Sequence, residues 1–105
     1  MSGASNAAVF AALGDPTRLG LVSRLCGGGP LSIARLTDGT DVTRQAVTKH
    51  LHVLRGAGLV RSTRAGRESL WELEPRRLEA ARKYLEMVSK RWDEALDRLK
   101  LHVEG

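Results

Sequence analysis

Only one cysteine, Cys26, stands in the 105 residues. A single thiol excludes an intramolecular disulfide and a cysteine metal cluster. Long apolar runs are also missing: Ala7 to Leu13 is the most apolar stretch near the start, far short of the roughly 20 residues a spanning helix needs. No Lys or Arg precedes that run, and a helix-start pattern rather than a cleavage context follows it, so it does not read as a secretory signal. No membrane partner and a cytoplasmic location are expected. There is no internal repeat or low-complexity segment. No convergent Ser/His/Asp set or carboxylate pair can be assembled, so no catalytic residues and no enzyme are expected. Gly56-Ala-Gly58 lacks the third glycine of a nucleotide fingerprint and follows a helix pattern rather than a strand. His50 and His52 are two apart, point in different directions on a helix and cannot chelate one ion together. Neither a metal nor another cofactor is expected.

What is present is positive charge in one place. The chain carries 17 Lys and Arg against 12 Asp and Glu, a formal charge of +5. Between Val42 and Leu73 six residues are basic (Arg44, Lys49, Arg55, Arg61, Arg64, Arg67) and two are acidic (Glu68, Glu72); the rest of the chain is nearly balanced. A net charge gathered on one segment is the electrostatic footprint of a polyanion partner.

The pattern inside that segment gives the charge a shape. Val47, Leu51, Leu54 and Gly58 fall in a narrow sector of a helical wheel. Gln45, Lys49, His52 and Gly56 fall opposite, with Arg44, Thr48 and Arg55 on the flank. Thr43 suits the N-cap, and Gly56 and Gly58 offer a stop. The outward strip is rich in donors and poor in bulk, as a helix reading the major groove requires: Arg and Lys for guanine edges and phosphates, Gln for adenine. Upstream, Ser32-Ile-Ala-Arg-Leu-Thr-Asp38 reads as a short helix capped by Ser32 and stopped by Gly39. The link from Gly39 to Val42 has the length of a helix-turn-helix turn. Downstream, residues 59–64 and 67–73 read as two strands flanking a tip at Ala65-Gly66, with Arg64 and Arg67 beside it and Trp71 and Leu73 facing inward.

Residues 5–13 read as a first helix, apolar on most sides, whose surface must be covered. Asp15-Pro16 starts a second helix, with Asp at the N-cap and Pro at the first helical position. It carries Leu19, Leu21, Val22 and Leu25, and breaks at Gly27-Gly28-Gly29-Pro30. Cys26 sits at its end, where an inert, buried thiol is expected. The last helix runs from about Pro75 to Val103. Leu78, Ala81, Leu85, Val88, Trp92, Ala95 and Leu99 recur at alternating steps of three and four, a heptad-like seam. At 1.5 Å per residue the helix is roughly 40 Å long, more than one small domain covers. The seam is therefore expected to meet the first helix and a second copy of the chain. The expected interface takes Val9, Phe10 and Leu13 from the first helix and Leu78, Ala81, Leu85, Val88, Trp92 and Leu99 from the last.

The fold class that follows is mainly α with a small β-hairpin wing: a winged helix-turn-helix of about five helices and two strands, with residues 1–105 as a single domain and helices 5–13 and 75–103 as its dimer interface. The residues resemble the ArsR/SmtB family of bacterial winged-helix repressors. Ala12-Leu-Gly-Asp-Pro-Thr-Arg-Leu19 is similar to the family's second-helix opening. Val47-Thr-Lys-His-Leu-His-Val-Leu-Arg-Gly-Ala-Gly-Leu-Val60 is similar to its recognition helix running into the wing, and Gly66-Arg67 sits where the family has its wing tip. The resemblance implies a homodimer that binds an imperfect palindrome in double-stranded DNA and represses its own or a neighbouring operon. By motif position, Thr43, Arg44, Gln45, Thr48 and Lys49 would face the major groove, and Arg67 the minor groove or flanking phosphates. His52 and Arg64 complete the expected DNA set.

Two departures matter. Metal-sensing members of the family carry a Cys-x-Cys pair before the recognition helix, where this chain has Leu31-Ser-Ile-Ala-Arg-Leu36. Others carry Asp/His and His/Glu pairs on the last helix, where this chain has His102 and Glu104. The ending Arg91-Trp-Asp-Glu-Ala-Leu-Asp-Arg-Leu-Lys-Leu-His-Val-Glu104 resembles a metal-free subgroup. Two other readings of the same fold are a ligand- or thiol-redox-responsive sensor, with Cys26 as the redox candidate, and a protein-interaction module that binds no DNA. An acidic or apolar outward helix face would have favoured the last.

Overall fold

The structure is a computed structural model and describes residues 2–104. Its elements run α1 (Ser2–Leu13), α2 (Pro16–Gly28), β1 (Leu31–Ser32), α3 (Ile33–Thr37), α4 (Arg44–Gly56), β2 (Val60–Ala65), β3 (Glu68–Leu73) and α5 (Pro75–Glu104).

Three helix starts are set by side-chain caps that satisfy otherwise free backbone N–H groups. Asp15 Oδ2 accepts from the backbone N–H of Arg18 at 3.1 Å, with Pro16 in the first turn of α2. Ser32 Oγ accepts from Arg35 N–H at 3.2 Å, and Thr43 Oγ1 from Ala46 N–H at 3.1 Å. The short α3 is finished from outside: Arg24 on α2 donates to the carbonyls of Leu36, Arg35 and Asp38 at 2.8, 2.9 and 3.1 Å. Of the two glycines that could end α4, the fold uses Gly58. Its φ of 79° is left-handed, its N–H donates to Arg55 O, and Leu59 N–H reaches back to Leu54 O. This is a Schellman stop, and Leu54 and Leu59, the apolar pair that closes it, are both fully buried.

The core lies where α2, α3 and α4 meet the sheet. Leu21, Val22 and Leu25 enter it from α2, Leu36 from α3, and Val47, Leu51 and Leu54 from α4, with Leu59, Val60 and Trp71 beneath. Each large aliphatic side chain buried this way contributes roughly 1.5–3 kcal/mol. Leu19, expected among the apolar residues of α2, is instead 50% exposed. Cys26 is exposed rather than buried, because it lies one residue past Leu25, the last buried position of α2.

The sheet has three strands in the order β1-β3-β2, one more than the two expected. The added strand is two residues long: Leu31 pairs with Trp71 and Ser32 with Leu70. The hairpin register sets Val60 opposite Leu73 and Ala65 opposite Glu68. The tip is therefore Gly66-Arg67, one residue later than expected, with Gly66 at φ 64° supplying the left-handed turn position.

α5 starts at Pro75 and packs its first turns on α1. Phe10 and Tyr84 bring their ring centres to 6.0 Å at 43°. Two residues expected at a chain-to-chain interface, Val9 and Ala81, are already buried inside the one chain, at 0% and 5% exposure. Phe10, Leu13 and Leu78 are half-buried there. Beyond this the seam leaves its own domain: Leu85, Trp92 and Leu99 are 52%, 63% and 61% exposed, with Leu96 beside them at 50%, while Val88 is half-buried.

Candidate nucleic-acid interface

Burying Val47, Leu51 and Leu54 turns the other face of α4 outward. Arg44, Gln45, Lys49, His52 and Arg55 are exposed there, and Thr48 is half-buried beside them. No Asp or Glu occurs in α4. Arg67 stands exposed in the wing tip, and Arg64 is exposed two residues before Gly66. Arg44, Gln45, Lys49, Arg64 and Arg67 make no side-chain hydrogen bond or ion pair within the described residues.

The two threonines are placed differently. Thr43 uses its hydroxyl oxygen as the helix cap. Thr48 Oγ1 donates to Arg44 O at 2.8 Å, a back-bond that leaves only its lone pairs for another partner. Both hydroxyls are thus part of the helix as well as of its outward side.

Three features of α4 and the wing escape periodicity. Arg61 is not a free cation: its Nε donates to Glu72 Oε1 at 3.0 Å and its Nη1 to Glu74 Oε2 at 3.1 Å. The hydrogen bond and charge of Glu72, followed by the charge of Glu74, raise the guanidinium's pKa further. The strand register that sets Arg61 opposite Glu72 is the signal that reveals this pair. His52 is not free either, since Arg55 Nη2 donates to its Nδ1 at 2.8 Å. His50 lies half-buried behind the helix, with Nδ1 3.3 Å from Arg18 Nη1 and 3.9 Å from Asp15 Oδ2. It joins α4 to the start of α2 and has a structural position.

Among the described residues no group of three or more His, Cys, Asp or Glu is placed to hold a metal ion. No described helix is long and apolar enough to cross a membrane.

A short helix, a turn, a capped helix with an unpaired cationic face and a basic hairpin define a winged helix-turn-helix protein. A family model described as a helix-turn-helix domain matches residues 13–63. The chain is 40% identical over 85 residues to the HTH-type transcriptional regulator Rv2034 of Mycobacterium tuberculosis, covering 81% of this chain and 76% of that one. It superposes on the ArsR-like transcriptional regulator from Rhodococcus sp. RHA1 with a TM-score of 0.76 at 37% identity, over 92% of this chain and 91% of that one. The chain belongs to the ArsR family of winged helix-turn-helix transcriptional regulators. It is also 33% identical over 67 residues to the arsenical resistance operon repressor of Escherichia coli, across 64% of this chain and 57% of that one.

Proposed function

We propose that the protein is a homodimeric repressor that binds an imperfect palindrome in duplex DNA upstream of its own or a neighbouring operon, without a metal switch. The observation that carries this reading is the set of five polar side chains, Arg44, Gln45, Lys49, Arg64 and Arg67, exposed on α4 and the wing tip with no partner among the described residues. Four of them are cations, and an unpaired cation in solvent is free to displace counterions from phosphates. Thr43, Arg44, Gln45, Thr48 and Lys49 face the major groove in this reading, with His52 one turn further on. Arg64 and Arg67 reach the flanking backbone or minor groove. A protein-interaction module gains nothing from such a face, since it has no apolar centre.

The half-exposed stretch of α5 supports the dimer. Leu85, Trp92, Leu96 and Leu99 form one apolar strip continuous with the α1–α5 contact, and strips of this kind mark association surfaces. A two-fold partner there would hold two recognition helices about one DNA turn apart, as palindromic half-sites require. The repressor reading draws on the named function of the E. coli relative.

The test is selection from a randomised duplex pool, followed by titration of the selected sequence. A palindromic consensus is expected, with affinity falling roughly 10³-fold or more between 50 and 200 mM salt. A pool that shows no enrichment, or a flat salt response, removes the reading.

A further inference from the structure

Arg55 is the cation of α4 whose N–H groups are turned toward protein. Its Nη1 donates to Ser62 Oγ on β2 at 3.2 Å, and its Nη2 donates to His52 Nδ1 one turn back on α4 at 2.8 Å. Its Cζ lies 5.2 Å from the centre of the Trp71 ring on β3. His52 closes the same cluster, edge-on to Trp71 at 6.0 Å and 88°. Arg has no acceptor, so Nδ1 of His52 is the unprotonated ring nitrogen and Nε2 carries the proton. Trp71 is the middle of the sheet, 3% exposed and opposite both Leu31 of β1 and Ser62 of β2. One guanidinium thus touches the recognition helix, the outer wing strand and the ring at the centre of the sheet.

We propose that Arg55 is a positioning residue that locks the angle between the recognition helix and the wing. The inference rests on the DNA-binding reading above. From Val60 to Gly66 the wing extends about 20 Å, at roughly 3.3 Å per residue. A 10° swing at its base would carry the tip about 3 Å, enough to break a hydrogen bond to a phosphate. The Gly58-Leu59 link and the pairing of β1 with Trp71 and Leu70 hold the inner half of the wing, but the pairing acts on β3 and leaves β2 as the outer strand. The Arg55–Ser62 bond is the one side-chain hydrogen bond between α4 and β2 among the described residues, and it ties the outer strand directly to the helix, so Arg64 and Arg67 move as one body with Arg44, Gln45 and Lys49. The planar fork of Arg suits the task, because it can hold two acceptors and lie on an aromatic face at once; Lys cannot.

A double-mutant cycle on the full chain separates a positioning role from a direct phosphate contact. The probe is a duplex that the wild-type protein has selected from a randomised pool. Arg55→Ala should weaken binding about tenfold, the effect of losing a charge-assisted hydrogen bond. In a background already carrying Arg64→Ala and Arg67→Ala it should weaken binding less than about twofold, because the wing it aims no longer makes contacts. With Gln45→Ala its effect should multiply, and Arg55→Lys should resemble Arg55→Ala. Equal losses with and without the wing-tip arginines, together with rescue by Arg55→Lys, would make Arg55 a phosphate contact and overturn the proposal. So would an Arg55→Ala protein with unchanged affinity. Circular dichroism checks the fold; if Arg55→Ala does not fold, Ser62→Ala, which cuts only the wing end of the link, must show the same dependence on Arg64 and Arg67, and independence from them overturns the proposal. If the wild-type chain enriches no duplex, the DNA reading itself fails, which is distinguishable from an additive cycle.

Discussion

Arg61 and Glu72 face each other across the wing, Nε to Oε1 at 3.0 Å, and Glu74 takes a second N–H of the same guanidinium. An exposed ion pair of this kind contributes little to stability. Its consequence is electrostatic: the cation nearest the base of the wing is already neutralised, whereas Arg64 and Arg67 at the tip are not. Arg61→Gln should therefore change DNA affinity less than Arg64→Ala or Arg67→Ala under the same salt. The converse variant is sharper. Glu72→Gln keeps an acceptor oxygen but removes the negative charge, and should strengthen binding to unrelated duplex. Titrations in which Arg61→Gln is the most damaging of the three arginine changes would show that the pair opens on DNA.

Much of this layout could be read before any coordinates. Helix starts are local events, so Asp15-Pro16, Ser32 and Thr43 announce themselves, and the Val47, Leu51, Leu54 spacing orients α4. What could not be read depends on partners distant in the chain. Two residues, Leu31 and Ser32, become a strand only because β3 passes beside them. The wing tip moved by one residue because a two-residue turn needs its left-handed position at Gly66, which sets Ala65 opposite Glu68. Arg61 reads as a free cation until that register gives it Glu72, and Arg55 until β2 passes beside α4 and brings it Ser62. The α5 seam has one period throughout, so nothing in the pattern says that α1 covers Ala81 and leaves Trp92 bare.

The end of α4 offers two glycines with opposite requirements. Gly56 is the last helical residue, and a Cβ built there meets nothing within 4 Å. Gly56→Ala should stabilise the fold by about 0.5–1 kcal/mol, since Gly is the poorer helix former. Gly58 has a φ of 79°, and a Cβ there would lie 2.9 Å from Arg77 Cγ. Gly58→Ala should cost about 1–2 kcal/mol for the left-handed conformation alone. Thermal denaturation of the two variants should thus give shifts of opposite sign. If both fall, the Gly56 backbone is also under a constraint that the local geometry does not display.

Asp15 couples stability to pH. The Arg18 backbone N–H is the largest influence and lowers its pKa below the ordinary aspartate value; burial opposes it, and the Arg18 and His50 charges add to the lowering. A carboxylate whose folded pKa is depressed stabilises the fold above its unfolded value, and that contribution is lost as the pH falls through the folded one. The window opens near pH 4, where an unperturbed Asp titrates, and extends downward. Asn retains the capping oxygen without the charge. Melting temperature against pH should therefore fall more steeply for the wild type than for Asp15→Asn below this point, while above it the wild type is the more stable. Parallel curves would mean that the cap works without its charge.

Dimerisation through the outer part of α5 makes the most demanding prediction. Trp92 is 63% exposed in the single chain and belongs to no part of its core. Trp92→Glu should leave the fold of one protomer intact, whereas in the proposed dimer it would bury an unpaired carboxylate, at a cost of several kcal/mol. The variant should sediment as a folded monomer. Its affinity for the selected palindrome should drop to that of one half-site, because the recognition helices are no longer held about 34–36 Å apart. Leu101 is the control: it is 71% exposed but lies on the opposite side of the helix from Trp92 and Leu99. Leu101→Glu should sediment as a dimer and bind normally. Dissociation by both changes would point to a general loss of α5. A dimer that survives Trp92→Glu but not Leu101→Glu would place the contact on the other face of the helix.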